Sequence, residues 1–209
     1  DEARLFEQHG FLLREGTQFH WHNQDFGTFD DFLATFASRK RKQVKKERRD
    51  ALASGIEIAC LSGDALTKDA WDAFFDFYIS TSDRKWGSPY LNRKFFDLLG
   101  ERLGDKVALV MAMKDGEYIA GALNLVGADA LYGRNWGCAG EFPYLHFEAC
   151  YYRAIDYAIA HKLQRVEAGA QGPHKIQRGY LPVATWSAHW IADPRLKTAI
   201  ADYLRRERA

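Results

Sequence analysis

One segment near the C-terminal end combines side-chain types suited to acid–base chemistry and anion binding. Residues 167–180 contain three glycines and a proline, which let a backbone bend sharply or approach another group closely. Glu167 and His174 could each accept a proton, and Lys175 could bind a carboxylate or a phosphate. The segment is therefore the predicted centre of a site, with two further substrate-binding candidates, Gln171 and Arg178.

Other candidates precede this segment. Tyr132 and Arg134 alternate onto one face of a predicted strand, where Tyr132 could protonate a leaving group and Arg134 could bind substrate. Core packing with a satisfied hydroxyl is the commoner role of a strand tyrosine. Glu167 could likewise be a structural acid, paired with Arg134 or Lys175. The predicted catalytic residues are thus Glu167, His174 and Tyr132.

The remaining substrate-binding candidates lie in a loop and at a helix start. Arg84 and Trp86 belong to a basic and aromatic loop that suits an acidic acceptor, or that simply packs the tryptophan. His146 and Glu148 begin a predicted helix, where they could bind substrate or act as a cap and a helix-dipole partner. Two nearby histidines, His20 and His22, lack further ligands, so no metal site is predicted.

The elements that must position these residues follow from periodicity and turn signals. Three alternating strands form a predicted meander, and the Asp-Gly turn at Lys114–Glu117 suits a hairpin. A long amphipathic helix and a short strand follow, and a further strand comes after the glycine-rich segment. The predicted strands are 11–23, 56–61, 107–113, 118–126, 131–136, 165–168 and 184–191, and the predicted helices are 28–55, 69–78, 92–103, 145–161 and one after Asp193.

Composition indicates a soluble globular chain. The 209 residues are 47% hydrophobic and 27% charged, and no apolar run approaches the roughly 20 residues that span a bilayer. The three cysteines, Cys60, Cys138 and Cys150, have no metal-ligand spacing and are odd in number for a disulfide framework. We therefore expect a reducing cytoplasm, and the charged start without an initiator methionine leads us to expect a piece of a longer protein.

A basic run stands apart from the rest. Residues 38–50 hold eight Lys or Arg against two acids, whereas the chain as a whole has a net charge of +1. Apart from Val44, Ala51 and Leu52, this predicted helix is polar on every side, so it must lie on the surface or against an anionic partner. A solvated face, a tRNA or other nucleic acid, and an anionic membrane surface are the three interpretations left open.

The order of elements is similar to the GNAT acyltransferase fold, and several residue stretches resemble the FemAB-like predicted N-acyltransferases. The resemblance extends from about residue 17 to the C-terminus and is specific at residues 84–91, 119–124, 131–137, 145–152 and 167–180. It implies an α/β (α+β) fold: a GNAT-like mixed sheet with an antiparallel meander, a central helix and splayed strands. It also implies a C-terminal half, with residues 1–37 a remnant of a preceding GNAT-like half, 38–55 a basic helix and 56–209 the acyltransferase domain.

The activity implied by the resemblance is transfer of an acyl or aminoacyl group to an amine on a small molecule or peptide. Both acyl-CoA and aminoacyl-tRNA are donors within the wider family. The stretch from Trp136 to His146 lacks the glycine-rich pattern that holds the coenzyme A pyrophosphate in GNAT enzymes, and Glu141 adds negative charge there. The alternative is a non-catalytic, degenerate module that binds nucleic acid or another anionic polymer through the basic helix.

Overall fold

The computed structural model describes residues 2–84 and 88–208, without the side chains of residues 82–84. The strands are β1 (Leu12–His22), β2 (Glu57–Leu61), β3 (Val107–Lys114), β4 (Glu117–Val126), β5 (Ala130–Cys138), β6 (Arg165–Glu167) and β7 (Leu181–His189). The α-helices are α1 (Glu2–Gln8), α2 (Phe29–Ala34), α3 (Ser38–Ala51), α4 (Lys68–Arg84), α5 (Arg93–Leu103), α6 (Leu145–Phe147), α7 (Arg153–Ala160) and α8 (Pro194–Glu207). A π-helix spans Glu148–Tyr152, and 3-10 helices span Ala53–Gly55, Gly63–Ala65, Gly104–Lys106 and Pro173–Arg178.

Within the described residues the seven strands form one sheet in the order β2-β3-β4-β5-β6-β1-β7. Every neighbouring pair is antiparallel except β5 and β6, which are joined by the crossover through α6, the π-helix and α7. The sheet is therefore the mixed, GNAT-like sheet that the resemblance implies. β1 lies between β6 and β7, so residues 12–22 are part of this same sheet, and the domain division at residue 37 stays a prediction.

Local chemistry explains the meander and the helix starts. Asp115 and Gly116 have φ angles of 51° and 83°, the left-handed values that a tight Asp-Gly hairpin requires. Thr28 and Asp31 cap each other reciprocally at the start of α2, and Asn92 Oδ1 accepts a hydrogen bond from Phe95 N at the start of α5.

The sheet buries an apolar layer on each face. On one face Leu131 and Val166 pack with the helices that include α2, α3 and α7. On the other, Leu109 and Leu123 pack against α4 and α5 through aromatic side chains such as Phe74 and Phe96. The two faces of β5 and β6 therefore pack against different helices. A polar side chain on either strand contacts one set of helices or the other, according to the face on which it lies.

Two predicted helices are corrected by the structure. The helix predicted over 28–55 is broken after Ala34, because Thr35 Oγ1 turns back to the Phe32 carbonyl and Ala37 is extended. The helix predicted over 145–161 consists of α6 and α7 with a π-helical turn between them at Glu148–Tyr152. α4 also reaches Arg84, and β7 begins at Leu181 rather than at residue 184.

Candidate functional site

The site lies where β5 and β6 part. The two strands pair only at Ala130–Arg165, Leu131–Val166 and Tyr132–Glu167. β5 continues to Cys138, whereas the chain after β6 follows β1 through hydrogen bonds between Phe19 and residues 168 and 169. Arg134 is an extra residue in β5 opposite β4, a β-bulge of the kind that often re-aims side chains next to functional sites.

Lys175 holds the chain at this branch point. Its Nζ donates to the carbonyl oxygens of Ala168 at 2.5 Å and Gly169 at 3.2 Å, and the residue is 4% exposed. Burial lowers the pKa of Lys175 below its ordinary value. The ammonium group predicted to bind a substrate anion is thus occupied by backbone carbonyls that shape the cleft.

A cavity of about 120 Å³ opens between the parted strands and the central helix. It is lined by residues that include Asn124, Arg134, Trp136, His146 and Tyr151. Trp136 and His146 also line an adjoining groove of about 490 Å³, which contains Glu141. A larger cavity of about 640 Å³ lies against α1 and β7 and is lined by none of the predicted site residues. The cavity of about 120 Å³, together with the adjoining groove, is therefore the candidate site.

His174 contacts this cavity through Tyr151. His174 Nε2 lies 3.0 Å from Tyr151 Oη. Burial, together with the charges of Arg178 and Lys175, lowers the pKa of His174, so its ring is neutral near pH 7. Burial also raises the pKa of Tyr151, so its phenol stays protonated. The pair therefore places a proton donor, Tyr151 Oη, against a neutral imidazole that can accept.

Gly172 and the π-helix determine the positions of His174 and Tyr151. Gly172 has a φ of 101°, and a Cβ atom there would lie 2.3 Å from His174 Cε1. The π turn carries Tyr151, whose carbonyl oxygen accepts a hydrogen bond from the buried Tyr180 hydroxyl at 3.0 Å. Single π turns of this kind are frequent at functional sites.

Glu167 and Tyr132 lie on the other face of the sheet. Their neighbours Val166 and Leu131 point into the core beside α7, and alternation puts Glu167 and Tyr132 opposite. Glu167 accepts from Arg165 Nε at 2.8 Å and lies 3.7 Å from His20 Nε2, rather than pairing with Arg134 or Lys175. The three predicted catalytic residues therefore do not meet in one cluster, because only His174 contacts a wall of the cavity.

Arg178 and Glu148 are bound inside the protein. Arg178 pairs with Glu47 of α3 at 2.9 Å, and both side chains are 5% exposed. Glu148 is fully buried, at 3.0 Å from Arg48 and 2.9 Å from Arg153. Burial raises the pKa of Glu148, and the two guanidinium groups oppose that rise. α3 thus meets its anionic partner within the chain, since Arg48 also binds Asp156 at 2.5 Å.

The other predicted substrate-binding residues divide into three cases. Arg134 and His146 line the cavity, and the His146 ring lies 5.3 Å from that of Trp136. Gln171 is exposed on the loop that follows β6. Trp86 and the side chain of Arg84 lie outside the part of the chain that the structure describes.

Sequence reasoning assigns no role in the site to Tyr151, Glu47 or Asn124. The pattern puts Tyr151 on an apolar helix face and Glu47 within a basic run, and neither position suggests a site. Asn124 is 2% exposed, and its Nδ2 donates to the carbonyls of Ala108 and Ala122. Its Oδ1 accepts no hydrogen bond from the described residues, so it can accept one from a ligand. An asparagine in an otherwise apolar strand is the one sequence signal that could have found it.

The outer face of α3 stays cationic. Arg39, Lys42 and Lys46 recur at helical spacing, are exposed, and form no ion pair within residues 2–84 and 88–208. No helix in the described part of the chain is both long and apolar enough to cross a membrane. The same residues hold no cluster of three or more His, Cys, Asp or Glu side chains that could bind a metal ion.

Two solved structures share this architecture over almost the whole chain. The structure of L-PGS from Bacillus licheniformis superimposes with a TM-score of 0.65 at 11% identity, covering 97% of this chain and 69% of that one. The crystal structure of FemX superimposes with a TM-score of 0.64 at 13% identity, covering 96% and 70% respectively. At such identities the likeness shows a common fold, and this chain spans about 70% of either structure's length.

Sequence comparison identifies the family. No curated protein sequence matches the chain. The family model FemAB_like, described as peptidoglycan biosynthesis/recognition, matches residues 1–209, which is the entire chain. The fold, the parted strands and this match agree, and the chain belongs to the FemAB-like family.

Proposed function

We propose that this protein is an N-acyltransferase that moves an acyl or aminoacyl group from an activated donor to an amine held in the cavity between β5 and β6. The observation that carries the proposal is the contact between Tyr151 Oη and the neutral ring of His174 at the wall of that cavity. Membership of the FemAB-like family and the fold shared with FemX and L-PGS support it.

The residues of the cavity divide the chemistry between them. Asn124 Oδ1 accepts a hydrogen bond from the amine and orients its lone pair. The amine nitrogen attacks the carbonyl carbon of the donor, and the new C–N bond forms as its proton passes to Tyr151 Oη, whose own proton moves to His174 Nε2. The carbon–oxygen or carbon–sulfur bond to the leaving group then breaks, and the proton returns to the departing atom. No covalent enzyme intermediate is required.

β5 supplies a second binding element. Beyond Tyr132, the edge of β5 on the β6 side has no strand partner among the described residues. The backbone N–H and C=O groups on that edge are therefore available to an extended ligand. An acyl chain or peptide that contains amide groups can add to this edge as a short strand would. Arg134, at the bulge, is exposed and has no ion-pair partner in the described part of the chain, which suits it to a carboxylate on the acceptor.

We propose an aminoacyl ester of tRNA as the donor in preference to acyl-CoA. The groove that adjoins the cavity is lined by Glu141 and by no lysine or arginine within the described residues, which is unfavourable for a pyrophosphate. The exposed cations on the outer face of α3, Arg39, Lys42 and Lys46, instead form a row that suits a phosphate backbone. α3 also contacts the His174 segment, since Lys40 Nζ lies 3.4 Å from Gln177 Oε1.

The experiment that tests the proposal compares donors before chemistry. Thermal stability of the chain is titrated with coenzyme A, acetyl-CoA and longer acyl-CoAs, and in parallel with aminoacylated and uncharged tRNA. A ligand at 100 times its dissociation constant stabilises by about 2.7 kcal/mol, a readily measured shift. We expect the shift with tRNA, followed by transfer to an amine that H174A and Y151F slow by about 10²- to 10⁴-fold. Binding of tRNA without transfer to any amine would instead favour a non-catalytic binding module.

A further inference from the structure

A buried charge network connects the basic helix to His174. Glu47 Oε2 accepts from Arg178 Nη2 at 2.9 Å and from the Tyr152 hydroxyl at 2.5 Å. Its other oxygen accepts from Gln43 Nε2 at 3.0 Å. The Glu47 side chain is 5% exposed and its carboxylate has partners on both oxygens, so its position is closely determined.

The guanidinium of Arg178 joins three elements. Besides its bond to Glu47 of α3, Nη1 donates to the carbonyl oxygen of His174 at 2.8 Å. The same group lies over the Phe147 ring of α6, with its central carbon 3.4 Å from the ring centroid. Only a planar fork with several donors can make these contacts at once, which lysine cannot. Arg178 therefore sets where the backbone of His174 stands relative to the central helix.

Stability alone is a weak reason for this ion pair. Removing two charges from water costs several kcal/mol, and replacing a buried pair with apolar residues of similar volume is often neutral or stabilising. The position of the His174 ring, in contrast, depends on where the backbone of His174 lies. Tyr151 Oη is 3.0 Å from the ring on one side, and on another side the ring is so close to Gly172 that a Cβ atom there would not fit.

We propose that Glu47 is a positioning residue that acts through Arg178 to hold His174 against Tyr151. The positioning of His174 by Glu47 does not depend on which reaction the protein catalyses. Its effect on turnover rests on the function proposed above. The basic helix thus contributes to the site from its inner face, separately from the cations on its outer face.

The test separates position from stability. The His174 ring signals are assigned in a nuclear magnetic resonance spectrum by their loss in H174A, and Y151F defines the change that follows when the ring contact is broken. E47Q is expected to lower the melting temperature and to shift the His174 signals. The double variant E47L/R178M is expected to recover most of the melting temperature while its His174 signals stay displaced, by about as much as in Y151F.

A more exposed ion pair elsewhere provides the control. Arg93 and Asp72 join α5 to α4 with contacts of 2.6 Å and 2.9 Å, and D72N should leave the His174 signals where they are. If E47Q does not fold, R178K takes its place. This variant keeps the positive charge but loses the planar guanidinium, so it too should shift the His174 signals. Wild-type His174 signals in the folded double variant would overturn the inference, because the pair would then be only structural.

The catalytic consequence is measured once a donor and acceptor are known. E47L/R178M should lower kcat by about 100-fold with little change in KM, the cost expected of a misplacement of about 1 Å. If the ring is displaced but H174A retains turnover, the proposed base is wrong and the positioning role stands. If the ring is not displaced, the positioning role is wrong whatever the turnover.

Discussion

Tyr151 Oη lies 3.0 Å from His174 Nε2, which joins the π turn of the central helix to the 3-10 helix after the glycine-rich loop. Tyr151 faces the cavity between β5 and β6, and His174 stands behind it. In the proposed reaction, a substrate proton reaches His174 through this one hydroxyl group. This arrangement makes the pair testable by single substitutions that leave the rest of the cavity in place.

Y151F and H174A should each lower kcat by about 10²- to 10⁴-fold, the usual contribution of general base catalysis. The two effects should not add in the double variant, because either change interrupts the same proton path. Steady-state kinetics on the identified substrates measures this. E167Q is the comparison: Glu167 lies on the opposite face and is bound by Arg165, so we expect a smaller loss. A larger loss in E167Q than in H174A would return the role of base to Glu167.

The pH profile of kcat/KM should rise with pH, with its midpoint below the ordinary histidine pKa of about 6.5. His174 accepts a proton only when neutral, and burial lowers its pKa. Folding stability should change with the same sign. Between the lowered pKa and about 6.5 the unfolded chain binds more protons, so stability falls as the pH is lowered through that window.

H174A should remove part of this pH dependence of stability, measured as melting temperature against pH. Burial lowers the pKa of His20 as well, so H20A should remove a further part. If melting temperature depends on pH as steeply in the double variant H20A/H174A as in the wild type, the pH dependence of stability comes from other groups.

G172A should disturb the site more than the fold. The residue has a φ of 101°, and such conformations cost non-glycine residues about 1–3 kcal/mol. The added Cβ would also displace the His174 ring. We expect a folded protein with a modestly lower melting temperature and turnover close to that of H174A. G116A is the control, because Gly116 has a φ of 83° but no atom near the added Cβ.

K175M should lower the free energy of unfolding by about 1–3 kcal/mol, because the Ala168 carbonyl would lose its ammonium donor. Denaturant titration measures this loss. Amide hydrogen exchange should rise in residues 168–174 and stay unchanged in the hairpin at residues 114–117. Unchanged exchange in the first segment would show that Lys175 does not hold the branch point.

Neutralising the outer face of α3 should weaken tRNA binding without altering the cavity. In R39Q/K42Q/K46Q the slope of log affinity against log salt should become shallower by about 2–3 units, roughly 0.7–0.9 for each phosphate that is no longer neutralised. The matched control is R102Q/K94Q/K106Q, which removes three exposed cations from α5 and the turn after it. Equal losses in both variants would indicate general charge attraction rather than a surface on α3.

The sequence by itself determined the order of elements. Alternation and the Asp-Gly turn predicted the meander, and periodicity predicted helices that begin near residues 28 and 92, because these features depend on residues close together in the chain. Resemblance at five short stretches identified the family, and the glycine-rich segment pointed to His174. The boundaries that failed are the break after Ala34, where Thr35 bonds back to the Phe32 carbonyl, and the π turn within 145–161, and neither is marked by a glycine or proline in the sequence.

Tertiary structure decided which predicted residues share a site. Alternation predicted Tyr132 and Arg134 on one face, but the β-bulge at Arg134 breaks that alternation, and Arg134 lines the cavity while Tyr132 does not. The charges of Lys175, Arg178 and Glu148 looked available in sequence, yet folding satisfies them with carbonyls or opposite charges, since unpaired charges are costly to bury. Tyr151 and Glu47 are adjacent to His174 and Arg178 only in space, so no spacing along the chain could reveal them.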